Sequence, residues 1–176
     1  MSLIGHNSNG NAHLQPCPAP PLVIALYQPD IPQNTGTILR MCACLGLAAA
    51  IIEPAGFSAS DRQFRRAGMD YLAHVDISRY PDWDAFDDWR RANGRRLLLL
   101  TTKASLPYTS FRYSPGDILL AGRESGGVPA AIHDTADARL IIPLGPAMRS
   151  LNVAVALAMV AGEAIRQTRQ DKLSYP

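Results

Sequence analysis

Polar residues that could bind a ligand or transfer a proton are concentrated in three short segments of the chain. Each segment combines glycine or proline with amide, carboxylate, hydroxyl or guanidinium side chains. That combination is typical of loops at the ends of strands, where the backbone approaches a ligand and a few side chains orient it. The three segments are residues 34–40, 122–129 and 142–152.

Structural roles compete with ligand binding in each segment. In the first, Asn34 could cap a helix and Arg40 could lie on the solvated face of that helix. The second could be an ordinary turn between a strand and a helix. The third is harder to explain structurally, because it places Arg149, Ser150 and Asn152 at the start of the last helix, where asparagine lowers helix propensity. We expect Ser150 to be the N-cap of that helix.

The familiar ligand and hydrolase motifs are missing from the sequence. It has no GxxxxGK[ST] phosphate loop, no GxSxG and no HExxH. The glycines of segment 122–127 are spaced wrongly for a dinucleotide fingerprint. Four histidines and three cysteines, without a CxxC pair, indicate neither a metal site nor a disulfide scaffold. We therefore expect no metal.

Composition indicates one globular domain and limits the class of partner. The chain has 176 residues, 47% of them hydrophobic and 18% charged, with a net charge of +2 from 17 basic and 15 acidic residues. This balance excludes a polybasic mode of nucleic-acid binding. Only Lys103 and Lys172 are lysines. An arginine-rich set suits phosphate ligands such as RNA, but a GC-rich genome would produce the same bias.

Apolar runs that alternate with amphipathic stretches predict an α/β fold. A mostly parallel sheet covered by helices on both faces is expected. We assign residues 22–176 to that domain and residues 1–21, with four prolines and no charge, to a disordered extension. The predicted strands are 22–27, 49–53, 74–76, 96–101, 117–121 and 139–144. The predicted helices are 35–45, 60–68 after a capping box at 60–63, 82–92, a short one after Pro129, and 151–167.

The sequence also favours a cytoplasmic location. Its opening stretch lacks the basic and apolar regions of a secretory signal, and the longest apolar run, 153–161, is too short to span a membrane. Cys42 and Cys44 lie on different faces of a predicted helix, which favours a packing role.

The three polar segments, in this order and at these separations, resemble the three motifs of the SPOUT-superfamily RNA 2′-O-methyltransferases. The chain is most similar to the small single-domain members that act on the wobble nucleotide of tRNA. The resemblance runs from residue 22 to about residue 167 and includes no additional RNA-binding domain. The strings that carry it are residues 26–36, 51–57, 65–71, 100–103 and 149–152.

The resemblance implies a C-terminal deep trefoil knot and S-adenosylmethionine as the methyl donor. It also implies a homodimer in which Arg40 of one protomer faces the donor pocket of the other. No membrane and no DNA partner is expected. By this resemblance, the residues expected around the donor are Leu100, Thr101, Gly122, Ile142, Leu144, Ser150 and Leu151.

The implied reaction transfers a methyl group from a sulfonium to a ribose 2′-oxygen, which requires alignment and removal of a proton. Arg40 is expected to hold the adjacent phosphate and assist deprotonation; because the pKa of arginine exceeds about 12, the phosphate itself could take the proton. The other expected catalytic residues are Glu124, Ser150 and Asn152. The expected RNA contacts are Asn34, Arg62, Arg65, Arg66 and Arg149, although the arginines at 62–66 could also form a solvated face.

Two positions depart from the resemblance. Relatives usually have proline after the first glycine of the second motif and arginine where this chain has Gly126; here an arginine stands at Arg123 instead. The third motif often has serine where this chain has Ala154. These departures leave two alternatives open, namely methylation of another tRNA or rRNA nucleotide, and an inactive RNA-binding protein on the same fold.

Overall fold

Strands and helices alternate along the part of the chain that the computed structural model describes, residues 22–58 and 60–168. The expected extension over 1–21 lies outside the described residues. The strands are β1 Val23–Tyr27, β2 Ala48–Ile52, β3 Ile77–Tyr80, β4 Leu97–Leu100, β5 Leu106–Pro107, β6 Ile118–Ala121 and β7 Ala138–Ile141. The α-helices are α1 Pro32–Leu45, α2 Arg62–Gly68, α3 Trp83–Ala92, α4 Ala130–Thr135 and α5 Val153–Thr168, and two 3-10 helices span Met69–His74 and Tyr108–Ser110.

All seven strands form one parallel sheet in the order β3-β2-β1-β6-β4-β7-β5. This confirms the predicted parallel α/β architecture. Since all strands run in the same direction, the loops that follow β1, β6, β4 and β7 leave the sheet at one edge, side by side. The chain reverses its winding between β1 and β6, and such a reversal is the usual place for a ligand crevice in an open α/β sheet.

Two apolar clusters fill the two faces of the sheet, because successive side chains of a strand point to opposite sides. Ile24 and Leu26 of β1 pack with α1, α2 and α5, whereas Val23 and Ala25 pack with α3 and α4. On the first face, burial raises the pKa of the Cys42 thiol to about 12, which keeps it protonated. Cys42 therefore packs as a small apolar side chain, as its position in the sequence predicts.

Close packing of α2 on α1 depends on one glycine. A Cβ atom at Gly36 would lie 2.6 Å from the carbonyl oxygen of Phe64 and 2.7 Å from the Cβ of Ala67. The two helices therefore approach each other at a distance that excludes any side chain at residue 36. This contact fixes the three arginines of α2 relative to the first polar segment, which forms the start of α1.

Several predicted boundaries are wrong. The strand predicted at 74–76 is instead β3, at Ile77–Tyr80, because a 3-10 helix occupies Met69–His74. Helix α1 begins at Pro32 rather than at residue 35, because Pro32 supplies the fixed φ that suits the first helical turn. Strand β5 was not predicted; with two residues, it carries too little pattern to be recognised.

Both predicted caps are also wrong. Asp61, not Ser60, caps α2, because its Oδ1 accepts from the backbone N–H groups of Gln63 at 2.8 Å and Phe64 at 3.1 Å. Asn152, not Ser150, caps α5, because its Oδ1 accepts from the N–H of Ala154 at 2.8 Å. In each case the residue nearer to the first helical turn has the reach to bond its free N–H groups.

The trefoil knot implied by the resemblance stays a prediction. Among the described residues, no helix is long and apolar enough to cross a membrane.

Candidate functional site

A cavity of about 690 Å³ opens where the loops after β4, β6 and β7 meet the start of α5. Its volume lies within the range of sites for small organic ligands, about 300–1,000 Å³. All seven residues expected around a methyl donor line this cavity, together with Asn34, Glu124, Arg149 and Asn152. The tertiary structure thus brings together the second and third polar segments and the start of the first.

Asn34 joins the three segments at the cavity wall. Its side-chain N–H donates to Oε1 of Glu124 at 2.9 Å, and its Oδ1 accepts from the side-chain N–H of Asn152 at 3.0 Å. Asn152 is itself oriented, because its Oδ1 caps α5 through the N–H of Ala154. Because the Oδ1 of Asn152 accepts from the helix, its side-chain N–H must face Asn34. The Oδ1 of Asn34 then accepts that bond, so the side-chain N–H of Asn34 faces Glu124, whose carboxylate is the last acceptor. Asn34 lies inside the first turn of α1, so it is not the cap considered from sequence.

Asp30 is a site residue that sequence reasoning missed. Its carboxylate accepts from the backbone N–H groups of Glu124 at 3.1 Å and Ser125 at 3.2 Å, and also from the Ser125 hydroxyl. The residue lies in the loop after β1, and β1 is the neighbour of β6 in the sheet. The sequence carries no signal for this role, because only the strand order places Asp30 beside the glycine loop.

The glycine loop after β6 folds back on itself. Arg123 and Gly127 exchange two backbone hydrogen bonds, of 3.0 and 2.8 Å. A Cβ at Gly122 would lie 2.4 Å from the carbonyl carbon of Gly127, and Gly127 has a positive φ of 67°. The tight turn directs the N–H groups of Glu124 and Ser125 towards the Asp30 carboxylate. The two carboxylates of Asp30 and Glu124 are therefore held close together.

The pKa values of these two carboxyl groups move in opposite directions. Burial and the nearby Asp30 raise the pKa of Glu124, whereas the hydrogen bond from Asn34 opposes the increase. Partial burial also acts to raise the pKa of Asp30, but its bonds with the side chains and backbone of Glu124 and Ser125 outweigh that effect and lower the pKa to about 2. Asp30 is therefore ionised near neutral pH.

The arginines expected to contact RNA or to assist catalysis are divided between two places. Arg149 lines the cavity and is exposed, as is Ser150. Arg40 does not line the cavity of its own chain; its guanidinium lies 4.8 Å from the centre of the Tyr71 ring. The exposed residues Arg62, Arg65 and Arg66 project from α2 and likewise lie outside the cavity lining.

The two departures from the expected motifs are accommodated locally. A side chain at Gly126 would meet no atom within 4 Å, and Arg123 lines the cavity from the same loop. Ala154 is buried in the first turn of α5, and its backbone N–H donates to the capping side chain of Asn152. Within residues 22–58 and 60–168, no group of three or more His, Cys, Asp or Glu side chains could hold a metal ion.

Known proteins similar to this chain are named as tRNA methyltransferases. It is 68% identical over 145 residues to a tRNA (cytidine(34)-2′-O)-methyltransferase of Beijerinckia indica, covering 82% of this chain and 91% of the relative. It is 42% identical over 157 residues to the Escherichia coli K12 protein of the same name, and the match covers 88% of this chain and 96% of that relative.

Solved structures share the fold. One, described as giving structural insights into the 2-OH methylation of C/U34 on tRNA, has a TM-score of 0.79 at 38% identity and covers 83% of this chain and 95% of its own. An AdoMet-bound rRNA methyltransferase from Sinorhizobium meliloti has a TM-score of 0.78 at 27% identity, and the match covers 84% of this chain and 57% of the S. meliloti chain. Residues 21–162 match the SpoU rRNA Methylase family, so the chain belongs to that family.

Proposed function

We propose that this chain transfers the methyl group of S-adenosylmethionine to the ribose 2′-hydroxyl of the wobble nucleotide of tRNA, a cytidine or a modified uridine. The observation that carries the proposal is the pair of hydrogen bonds from Asn34 to Glu124 and from Asn152 to Asn34, which unites three loops around one cavity. The relatives named for cytidine 34 support the choice of nucleotide. A cytoplasmic location follows from tRNA as substrate.

The cavity residues fit the methyl donor. Leucines at 100, 144 and 151 offer apolar surface for a planar ring, and the hydroxyls of Thr101 and Ser150 offer polar contacts at its edge. The lining places one carboxylate, Glu124, beside the cations Lys103, Arg123 and Arg149, so it offers partners both for the positive groups and for the carboxylate of the donor. When bound, S-adenosylmethionine supplies a methyl group already activated on a sulfonium, so neither a metal nor a covalent intermediate is required.

The chain's own residues are proposed to align the ribose and assist loss of its proton. Asn34 and Asn152 are locked by their mutual bond and by the α5 cap, so they present fixed polar groups at the cavity wall. Arg40 is proposed to hold the phosphate beside the target ribose, and either that phosphate or the arginine assists deprotonation. Arg62, Arg65 and Arg66 are proposed to contact other phosphates.

A homodimer would bring Arg40 to a cavity that it does not line in its own chain. Exposed apolar side chains lie on α5 and just before it, at helical spacing: Leu151 is 39% exposed, Val155 50% and Met159 39%. Met148 is 66% exposed, and Ile31, which lines the cavity, is 40% exposed. An apolar surface of this kind favours self-association, and we propose a second copy of the chain as its occupant.

Co-expression of two inactive variants tests the shared site. An Arg40→Ala protomer and an Asn152→Ala protomer, carrying different affinity tags, are purified as the mixed dimer. Because one of its two sites then has both residues intact, the mixed dimer is expected to regain about half of the wild-type activity per dimer. A mixed dimer as inactive as each parent would contradict the sharing of the site. A monomeric wild type in sedimentation experiments would contradict the dimer.

The substrate is tested by mapping ribose methylation. Total tRNA from a deletion strain, and from the strain complemented with this gene, is digested and analysed by mass spectrometry. The wobble 2′-O-methyl group is expected to disappear and return. Loss of a methyl group from another tRNA or rRNA nucleotide would overturn the wobble assignment but preserve the chemistry. Unchanged RNA, with no binding of S-adenosylmethionine in calorimetry, would favour an RNA-binding protein without transferase activity.

A further inference from the structure

A second concavity, of about 480 Å³, adjoins the first. Its lining comes from the loop after β4, residues 103–105, and from residues 136–139 at the start of β7. Lys103 lines both concavities, so the two are continuous at that side chain. Apart from Lys103, the residues of this second surface belong neither to the family-like strings nor to the lining of the first cavity.

Two exposed cations dominate the second concavity. Lys103 reaches it from the loop and Arg139 from the strand, and both are exposed. Both also act to lower the pKa of His133, after the larger effect of burial, while Asp134 opposes them. Because Lys103 lines both concavities, positive charge extends from one to the other.

The neighbouring carboxylates leave this positive charge largely uncompensated. Asp137 is committed elsewhere: its Oδ2 accepts from the backbone N–H of Leu97 at 2.7 Å and from Arg90 at 3.2 Å. Asp134 approaches Arg139 only to 3.9 Å, and its side chain is 81% exposed. An exposed ion pair of that length adds little interaction free energy and leaves most of the charge of Arg139 available to a ligand. By contrast, the guanidinium of Arg96 lies 2.7 Å from Oδ2 of the buried Asp117, so the charge of Arg96 is paired.

We propose that the concavity between Lys103 and Arg139 binds a backbone phosphate of the RNA whose target ribose enters the first cavity. The inference rests on the proposed function, because it assumes an RNA substrate. Arginine and lysine are the usual partners of RNA phosphates, and Ser105 adds a hydroxyl to the same lining. Helix α2 lines neither concavity, so this contact would be separate from that of Arg62, Arg65 and Arg66.

The experiment measures binding of a tRNA anticodon stem-loop by fluorescence anisotropy at several KCl concentrations. Lys103→Ala and Arg139→Ala are compared with wild type and with Arg112→Ala, which removes an exposed arginine that lies in the segment before β6 and lines neither concavity. Each of the first two variants is expected to weaken binding about threefold to tenfold and to reduce the slope of log K against log salt by about one. Arg112→Ala is expected to leave both values unchanged.

Two readouts separate this site from the rest of the protein. The midpoint of thermal unfolding is expected to stay at the wild-type value in all variants, and calorimetric affinity for S-adenosylmethionine is expected to stay at the wild-type value in Arg139→Ala and Arg112→Ala, whose side chains do not line the first cavity. Wild-type affinity and salt slope in Lys103→Ala and Arg139→Ala would overturn the phosphate site, as would wild-type protein that binds no RNA. If the two variants lose affinity but wild type leaves position 34 unmethylated, the phosphate site stands and the proposed function fails.

Discussion

Asn34 donates a hydrogen bond of 2.9 Å to Glu124, a residue 90 positions later in the chain. The bond crosses from the first turn of α1 to the glycine loop after β6, and its direction is imposed by Asn152, which occupies the acceptor oxygen of Asn34. Because Asn152 is oriented by the first turn of α5, the positions of three loops depend on one another. A change in any of these residues is therefore expected to affect the cavity wall as a whole.

Asn34→Asp is expected to lower kcat of methyl transfer about 10- to 100-fold, because it replaces a donor to a carboxylate with a second carboxylate, a loss of roughly 1.5–3 kcal/mol. Steady-state kinetics with tRNA give the value. Gln33→Glu is the matched control, since Gln33 is exposed on the same helical turn and gains the same charge. Equal effects of the two substitutions would show that only the net charge of the turn matters.

Asp30→Asn is expected to lower thermal stability, by about 1 kcal/mol, because the amide is a weaker acceptor for the glycine loop. The folded-state pKa of Asp30, about 2, lies below its ordinary value of 3.8. The stabilisation is therefore fully present above about pH 5 and is lost as the pH falls towards 2. Circular dichroism melts should show the difference in Tm between variant and wild type narrowing over that window; a constant difference would contradict the assigned role of the charge.

Arg40→Ala is expected to reduce kcat by at least about 100-fold, since assistance to proton removal contributes on that scale. Calorimetric affinity for S-adenosylmethionine should stay near the wild-type value, because Arg40 is proposed to hold the RNA phosphate and not the donor. Arg40→Lys retains the charge without the planar fork and should recover only part of the rate. A large loss of donor affinity in Arg40→Ala would contradict the proposed role.

Gly36→Ala is expected to destabilise the fold by about 1–3 kcal/mol, because the added methyl group has no space between α1 and α2. Gly162→Ala is the matched substitution in α5, where a Cβ would meet nothing within 4 Å, and it should stabilise the helix by about 0.5–1 kcal/mol. Urea unfolding measures both. Destabilisation of similar size at the two positions would contradict the packing argument.

Sequence patterns predicted the elements that carry long or strongly apolar signals. The four leucines of β4 and the aromatic face of α3, capped by Asp82, lie where the sequence places them. Short elements were less predictable. Strand β5 has only two residues, and β3 has the burial of an edge strand rather than an apolar run. Their pairing partners, which are distant in sequence, determine that they are strands.

The sequence by itself determined which residues could do chemistry: Asn34, Glu124 and Asn152, together with the apolar walls of the cavity. It did not reveal Asp30, because a carboxylate in a proline-rich turn has no local signature of its partner. The parallel order of β1 beside β6 places Asp30 against the N–H groups of the glycine loop. Local patterns select residue types, whereas the order of strands, which depends on burial of both sheet faces, decides which loops meet.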